Sequence, residues 1–300
     1  MKIAFLYAYK ENEVWSTPLS LAIEFQNRGW EVDIFSIISS TGNYNEAGIK
    51  MMLDQINHGH YDPDIIFYLD WGRFDSPLLD KSLYPEAFWI QESGDDPQNY
   101  ERNFPKSERF HLTCSPDYSS TERYKKTGRN CIWLTHFADT TIHYPRFSPV
   151  NYDVVCTRGY GTSGILDRLS HDLGKRFKNK NGYEGVRHSE ALQEGKIIVQ
   201  HARHGEITRR IFEGMACGRM VLTDRLDPST HLQDLFKDQV EIVFYDDYQD
   251  CRNKLDYYLE HPQEREQIAL AGKENVLKNH TQYQRINTIL DHFRKWKSNT

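Results

Sequence analysis

The chain opens on an unbroken apolar run at residues 3–7, the pattern of a strand buried on both faces of a parallel sheet. Helical spacing follows from about residue 17 to 28 and stops at Gly29, the residue type that best accepts the left-handed turn past a helix end. Residues 31–36 read as a second strand. The alternation continues with strands expected at 64–69, 87–91, 110–114 and 131–134, with helical segments between most of them. Strands and helices alternating at this spacing predict right-handed βαβ units in a doubly wound sheet.

Between 142 and 151 the pattern lapses, and Pro145 and Pro149 mark a linker. A second alternating series starts at 152–156, with further strands expected at 196–200, 220–223 and 241–245. From Tyr248 the chain reads as helix almost to its end, and the stretch after about Thr281 is long enough to return to the first half. The expected architecture is therefore α/β, with Rossmann-like domains over 1–145 and 151–280 and a C-terminal helix over 281–300 that packs on the first.

Composition narrows the reading only slightly. Three hundred residues suit two domains of about 150. A hydrophobic fraction of 38 % can fill two cores, and the net charge of −6 argues against a general polyanion binder. The five cysteines are odd in number and form no CxxC pair, so neither a zinc site nor a disulfide framework is expected. No apolar run approaches membrane-spanning length, and a soluble, cytoplasmic protein is expected.

In open α/β sheets, ligands bind beyond the carboxyl ends of the strands, where strand order reverses. The segment from His201 to Gly218 has that placement: a strand ends near Gln200, a loop contains Gly205 and Glu206, and a helix starts at about Thr208, a suitable N-cap. Free N–H groups there can hold a phosphate, with Arg209 or Arg210 adding charge. Glu213, one turn on, is placed to accept from both hydroxyls of a ribose, or else pairs with Arg209 or Arg210 as an ordinary helix ion pair. Arg158 lies in a glycine-rich turn after the strand at 152–156 and either faces a diphosphate or is a solvated loop residue; the turn lacks G-x-G-x-x-G spacing.

In the first half, Glu92, Asp95 and Asp96 cluster around Gly94 directly after a strand. A carboxylate there can take the proton of an attacking hydroxyl, with Asp95 or Asp96 favoured, although aspartate and glycine also build ordinary turns. His136, His204 and Asp70 are further residues placed to line a cleft, and Asp75 follows Asp70 beyond Trp71-Gly72. The pair His201-x-x-His204 suggests a metal, but no third ligand accompanies it, and no metal is expected.

The run Thr208-Arg-Arg-Ile-Phe-Glu-Gly-Met-Ala-Cys-Gly218, followed by Val221-Leu-Thr-Asp224, resembles the donor-site signature of GT-B glycosyltransferases, and in particular the CgeB-like group. The resemblance continues through Leu235-Phe236, residues 241–247, Tyr257-Tyr-Leu259, Glu264-Arg265, Ile268-Ala269, Gly272, His280-Thr281 and Arg285. The first half matches more loosely, through Leu21-Ala22, residues 28–32, Tyr124 and Gly128. The resemblance implies two Rossmann-like domains facing each other across a cleft, with Glu213 on the donor ribose and Arg158 at the pyrophosphate. It implies a nucleotide-sugar donor as co-substrate, with no cofactor and no metal. The two-glutamate pattern of many retaining members is not kept, because Gly205 stands where the first glutamate is expected and Glu206 is one residue off.

The expected activity is transfer of a sugar from a nucleotide diphosphate, UDP first among them, to an acceptor hydroxyl on a glycan, a small molecule or modified DNA. Two alternatives accompany it. One is a phage-type enzyme that glycosylates a hydroxymethylated base, for which residues 123–126 and 175–178 offer basic groups, although solvated helix faces suit both stretches better. The other is a non-catalytic nucleotide-sugar-binding module.

Overall fold

The computed structural model describes residues 1–70, 72–157 and 164–300, which form two compact units. Residues 1–135 and 285–300 make the first, and residues 136–284 the second.

The first unit runs β1 (Lys2–Tyr7), α1 (Thr17–Asn27), β2 (Glu31–Ser36), α2 (Ala47–Asn57), β3 (Ile65–Asp70), β4 (Phe88–Ser93), α3 (Tyr100–Asn103), β5 (Leu112–Ser115), α4 (Tyr118–Lys126) and β6 (Cys131–Trp133). Its six strands are parallel in the order β2-β1-β3-β4-β5-β6. Every residue of β3 is buried, as a central parallel strand requires. Helix α1 starts where Ser16 Oγ accepts from Leu19 N at 3.2 Å, and the chain leaves it through Gly29 at φ 79°. The chain switches sides between β1 and β3, so a crevice opens at their carboxyl ends, where Asp70 stands.

The second unit runs β7 (Tyr152–Cys156), α5 (Gly164–Leu173), β8 (Phe177–Asn179), α6 (Gly185–Gln193), β9 (Gly195–Gln200), α7 (Arg209–Ala216), β10 (Met220–Asp224), α8 (Leu232–Leu235), β11 (Val243–Tyr245), α9 (Tyr248–Glu260) and α10 (Pro262–Asn279). Its parallel strands lie in the order β11-β10-β9-β7-β8, which puts the switch between β7 and β9. The irregular segment around Pro145 belongs to this unit: Arg146 N donates to Gln193 Oε1 at 2.6 Å, and its Nη1 to Ser189 Oγ at 3.1 Å. Residues 175–178, for which a helix face was one expectation, instead form a 3-10 turn and the edge strand β8.

Helix α11 (Gln282–Lys297) contributes its residues from Arg285 onward to the first unit. There Arg285 Nε donates to Thr135 O at 2.7 Å, Phe293 meets Trp30 edge-on, and Trp296 packs against Phe88. Among the described residues, no helix is long and apolar enough to cross a membrane.

Close backbone approach fixes two helices of the second unit. A Cβ at Gly214 in α7 would lie 2.8 Å from Ile198 Cδ1, and one at Gly272 in α10 would lie 2.3 Å from the carbonyl oxygen of Glu241. The first contact can yield, because it meets a side-chain tip. The second cannot without moving backbone. Alanine normally improves a helix by about 1 kcal/mol over glycine, but overpacking costs about 1–3 kcal/mol. Gly272→Ala is therefore expected to lower the thermal midpoint by a few degrees. A calorimetric midpoint equal to or above that of the parent would refute this account of α10.

Candidate functional site

The β7/β9 switch point of the second unit carries the most unusual chemistry in the chain. Glu213 sits in the second turn of α7 with only 3 % of its surface exposed. Its Oε1 lies 3.9 Å from His143 Nε2, and its Oε2 lies 3.7 Å from His188 Nδ1. Both distances exceed a hydrogen bond, and the Glu213 carboxylate accepts none from any described residue. A buried ionised carboxylate normally recovers its lost hydration through such bonds. This one is arranged to receive donors from elsewhere.

Its surroundings keep it ionised. Burial alone would raise the acid, but the neighbouring His188, His143, Arg209 and Arg210 outweigh burial and hold it at about 2. Burial in turn lowers both histidines, against the pull of the Glu213 charge, which raises them. Arg210 does not form the helix ion pair: its Nε donates to the Thr157 carbonyl at the end of β7. Thr157 Oγ1 also shares a hydrogen bond of 3.0 Å with His188 Nε2, which orients that ring toward Glu213.

The loop from β9 into α7 is fixed from beneath. Ala202 N donates to both carboxylate oxygens of Asp224, at 3.0 and 3.1 Å, and His201 Nδ1 shares a hydrogen bond of 2.9 Å with the Tyr245 hydroxyl. Gly205 takes φ 76°, and Glu206 Oε2 accepts from His204 N at 2.7 Å, so this carboxylate braces its own loop. Thr208 is the N-cap of α7, yet its hydroxyl caps no N–H. Its Oγ1 is buried without a partner. The Thr208 side chain therefore leaves the first-turn N–H groups of α7 uncapped beside Arg209, a setting suited to an anion.

Other expected residues fall elsewhere. Arg158 lies outside the described residues. His136 is half-buried, and His204 is exposed. The pair His201 and His204 does not converge, because His201 is committed to Tyr245 and Asp224. Among the described residues, the histidine, cysteine and acidic side chains group with metal-ligand spacing only at His143, His188 and Glu213, whose donor atoms lie within 4.8 Å of one another. Two neutral imidazoles and a carboxylate are a chemically suitable set for zinc, but the adjacent guanidinium charges oppose a divalent cation. Neither His143 nor His188 was expected at the site. The first lies in the irregular segment before β7 and the second on α6, and only the tertiary fold joins them to α7.

In the first unit, Glu92 lies within β4, half-buried, while Asp95 and Asp96 form the turn after it. Asp95 is exposed, at φ 58°. Asp96 is buried and accepts from Asn103 Nδ2 at 3.0 Å and Ser115 Oγ at 3.1 Å. It ties the turn to neighbouring elements, and burial pushes it up to about 6. Asp70 Oδ2 accepts from the backbone N–H groups of Arg73 and Phe74, with the buried Lys106 ammonium 3.8 Å away, while its Oδ1 is buried without a partner. Asp75 pairs with Arg109 at the surface.

Residues 151–291 match a family model described as glycosyl transferase-like. Over the whole chain, a glycosyltransferase from Rickettsia africae ESF-5 superposes with TM-score 0.69 at 11 % identity, covering 100 % of this chain and 99 % of that one. A sucrose-phosphate synthase from Thermosynechococcus elongatus gives 0.67 at 11 %, covering 100 % of both. HepE of Anabaena in complex with UDP-glucose gives 0.66 at 13 %, covering 98 % and 100 %. The fold is GT-B. At such identities the structural likeness speaks for architecture, and the family match falls on the half of the GT-B chain that carries Glu213. Together they support a glycosyltransferase. No curated protein matches the chain in sequence.

The environment of Asp96 predicts a pH effect on stability. Its folded pKa of about 6 exceeds the ordinary 3.8, so the folded state holds this proton longer than the unfolded state does. The sign follows: stability from this group is full below about pH 4 and is lost as pH rises to about 6, by no more than about 3 kcal/mol. Asp96→Asn keeps an acceptor for Asn103 and removes the titration. Chemical denaturation from pH 4 to 7 is expected to show the variant gaining on the parent across that window. A constant difference would contradict the assignment.

Proposed function

We propose that the chain is a metal-independent glycosyltransferase that draws its sugar from a nucleoside diphosphate, with UDP as the nucleotide, and passes it to an acceptor hydroxyl. One observation carries the reading: the anionic Glu213 carboxylate is buried at the β7/β9 switch point and accepts no hydrogen bond from the described residues. A ribose supplies two adjacent hydroxyls, and a carboxylate can accept from both. The α7 N-terminus, with the unsatisfied Thr208 hydroxyl and Arg209 nearby, then suits the diphosphate one helical turn away. The UDP-glucose complex of the Anabaena neighbour supports the choice of nucleotide.

In this mechanism the helix N-terminus and arginine charge stabilise the diphosphate as it departs, in place of a metal ion. Arg158, in the turn after β7, is proposed to add to that charge. Asp95 is proposed as the general base that takes the acceptor proton, because it is the exposed carboxylate of the turn while Asp96 is committed to Asn103 and Ser115. The CgeB-like subtype remains part of this proposal, on the residues of the 208–224 run.

A ligand that binds only the folded state raises apparent stability, by about 2.7 kcal/mol at a hundredfold excess over Kd. UDP and UDP-sugars are expected to raise the thermal midpoint, and EDTA to leave that rise unchanged. Absence of protection by every nucleotide and nucleotide sugar would sink the donor assignment, and a rise abolished by chelator would sink metal independence. Glu213→Gln removes the charge that accepts the ribose hydroxyls and is expected to weaken UDP binding about 10- to 100-fold by calorimetry.

Asp95→Asn should leave UDP binding within about twofold while lowering turnover by about 100-fold or more. Equal turnover by parent and variant would remove Asp95 from the mechanism.

A further inference from the structure

At the opposite end of α7, two adjoining cavities of about 240 Å³ and about 130 Å³ open around Gly218 and Arg219. They lie at the amino ends of β9 and β10, where Lys196 and Met220 line them, on the other side of the sheet edge from Glu213. Helix α7 has eight residues, about 12 Å of rise, separating the two ends.

The charge around these cavities is one-sided. Besides Lys196, which pairs with Asp153, four cations line them, Arg146, Arg219, Arg265 and Lys273, against a single carboxylate, Glu266. None of the four cations forms an ion pair with any described residue. Arg219 gives its Nε and Nη2 to the Gln193 carbonyl, Arg265 gives Nη1 to Tyr258 O, Arg146 gives Nη1 to Ile142 O and Ser189 Oγ, and the Lys273 side chain makes no hydrogen bond with the described residues. Burial lowers Arg219, and the positive charge of Arg265 lowers it further, so these like charges stand close together.

Cations gather near helix C-termini to meet exposed carbonyls. That explanation covers only part of the cluster: Arg219 donates to the last carbonyl of α6 and Arg265 to one in the last turn of α9, but neither carbonyl carries a full charge, and the Lys273 ammonium reaches none among the described residues. In a chain of net charge −6, four uncompensated cations around a recess call for an anion. The guanidinium N–H groups not given to these carbonyls, beside the Lys273 ammonium, match the oxygens of a phosphate group.

We propose that this recess binds a phosphate group, at a site separate from the donor site and independent of the donor assignment. The phosphate belongs either to a free metabolite or to the headgroup of an anionic lipid. The fully exposed Phe147, on the loop that also supplies Arg146, is placed to enter a lipid surface in the second case.

The test uses the full chain, with inorganic phosphate and pyrophosphate titrated at constant ionic strength against chloride. Phosphate is expected to raise the thermal midpoint above the chloride control, and Arg219→Ala/Lys273→Ala is expected to lose that rise while still responding to UDP as the parent does. Because Arg219 braces Gln193, Lys273→Gln alone provides a second variant, expected to weaken binding about three- to fivefold. Co-sedimentation with phosphatidylcholine vesicles, with and without phosphatidylglycerol, separates the sources. Capture only by the anionic vesicles, reduced in the variants, assigns the lipid headgroup; a phosphate response without capture assigns a free phosphate. If phosphate acts no differently from chloride and vesicles are not bound, or if the variants respond as the parent does, the proposal is overturned.

Discussion

The second unit is organised around one costly burial. Taking a carboxylate out of water costs several kcal/mol even after relaxation, and Glu213 offsets that cost through nearby charge rather than through hydrogen bonds. This requires the helix carrying it to sit where positive groups converge. Gly214, the next residue, permits the close approach of α7 to β9 and β10. Arg210 and His188 both attach to Thr157, so the end of β7 aligns one guanidinium and one imidazole with the acid. Ala202 anchored on Asp224 fixes the loop that delivers α7. Each contact has a structural function alone; together they hold in place an anion that accepts no hydrogen bond from the described residues.

The first unit places its carboxylates differently. Along the carboxyl edge of its sheet, Asp70 binds two backbone N–H groups and Asp96 two side-chain donors, so both acids shape the loops they stand in. Asp95 lies between the buried Gly94 and Asp96 yet is exposed, because the left-handed backbone at this position turns it out of the core. A buried, hydrogen-bonded acid makes a rigid turn, and an exposed neighbour on that turn is a positioned one. Sequence proximity treats Asp95 and Asp96 alike; exposure separates them.

Most of the architecture was legible because parallel strands announce themselves as short apolar runs. The expected strand at 152–156 coincides with β7, and the expected start near Thr208 with the cap of α7. The edge strand β8 escaped detection for the converse reason: it has three residues, and Lys178 at its centre faces solvent. At the site, Glu213 was visible because its partners in the motif are local in sequence. His143 and His188 were not, since they lie seventy and twenty-five residues upstream and carry no pattern of their own. The alternative of a local helix pair for Glu213 with Arg210 also needed coordinates, because spacing permits that pair and only the Thr157 carbonyl competes for the guanidinium.

A short helix with charge requirements at both ends constrains its own sequence tightly. The amino end of α7 needs a cap that leaves N–H groups available, and Thr208 satisfies this because its hydroxyl makes no capping bond. The middle needs a residue without a side chain against the sheet, which Gly214 supplies. The carboxyl end needs an immediate reversal into β10, which Gly218 allows at φ 73° with Pro145 packed 3.3 Å from where a Cβ would be. Any shift of α7 along its axis to relieve one of these contacts would also move Glu213 relative to His143 and His188. Rigidity at the carboxyl end, set by Gly218 against Pro145, is therefore part of what keeps the acid in position.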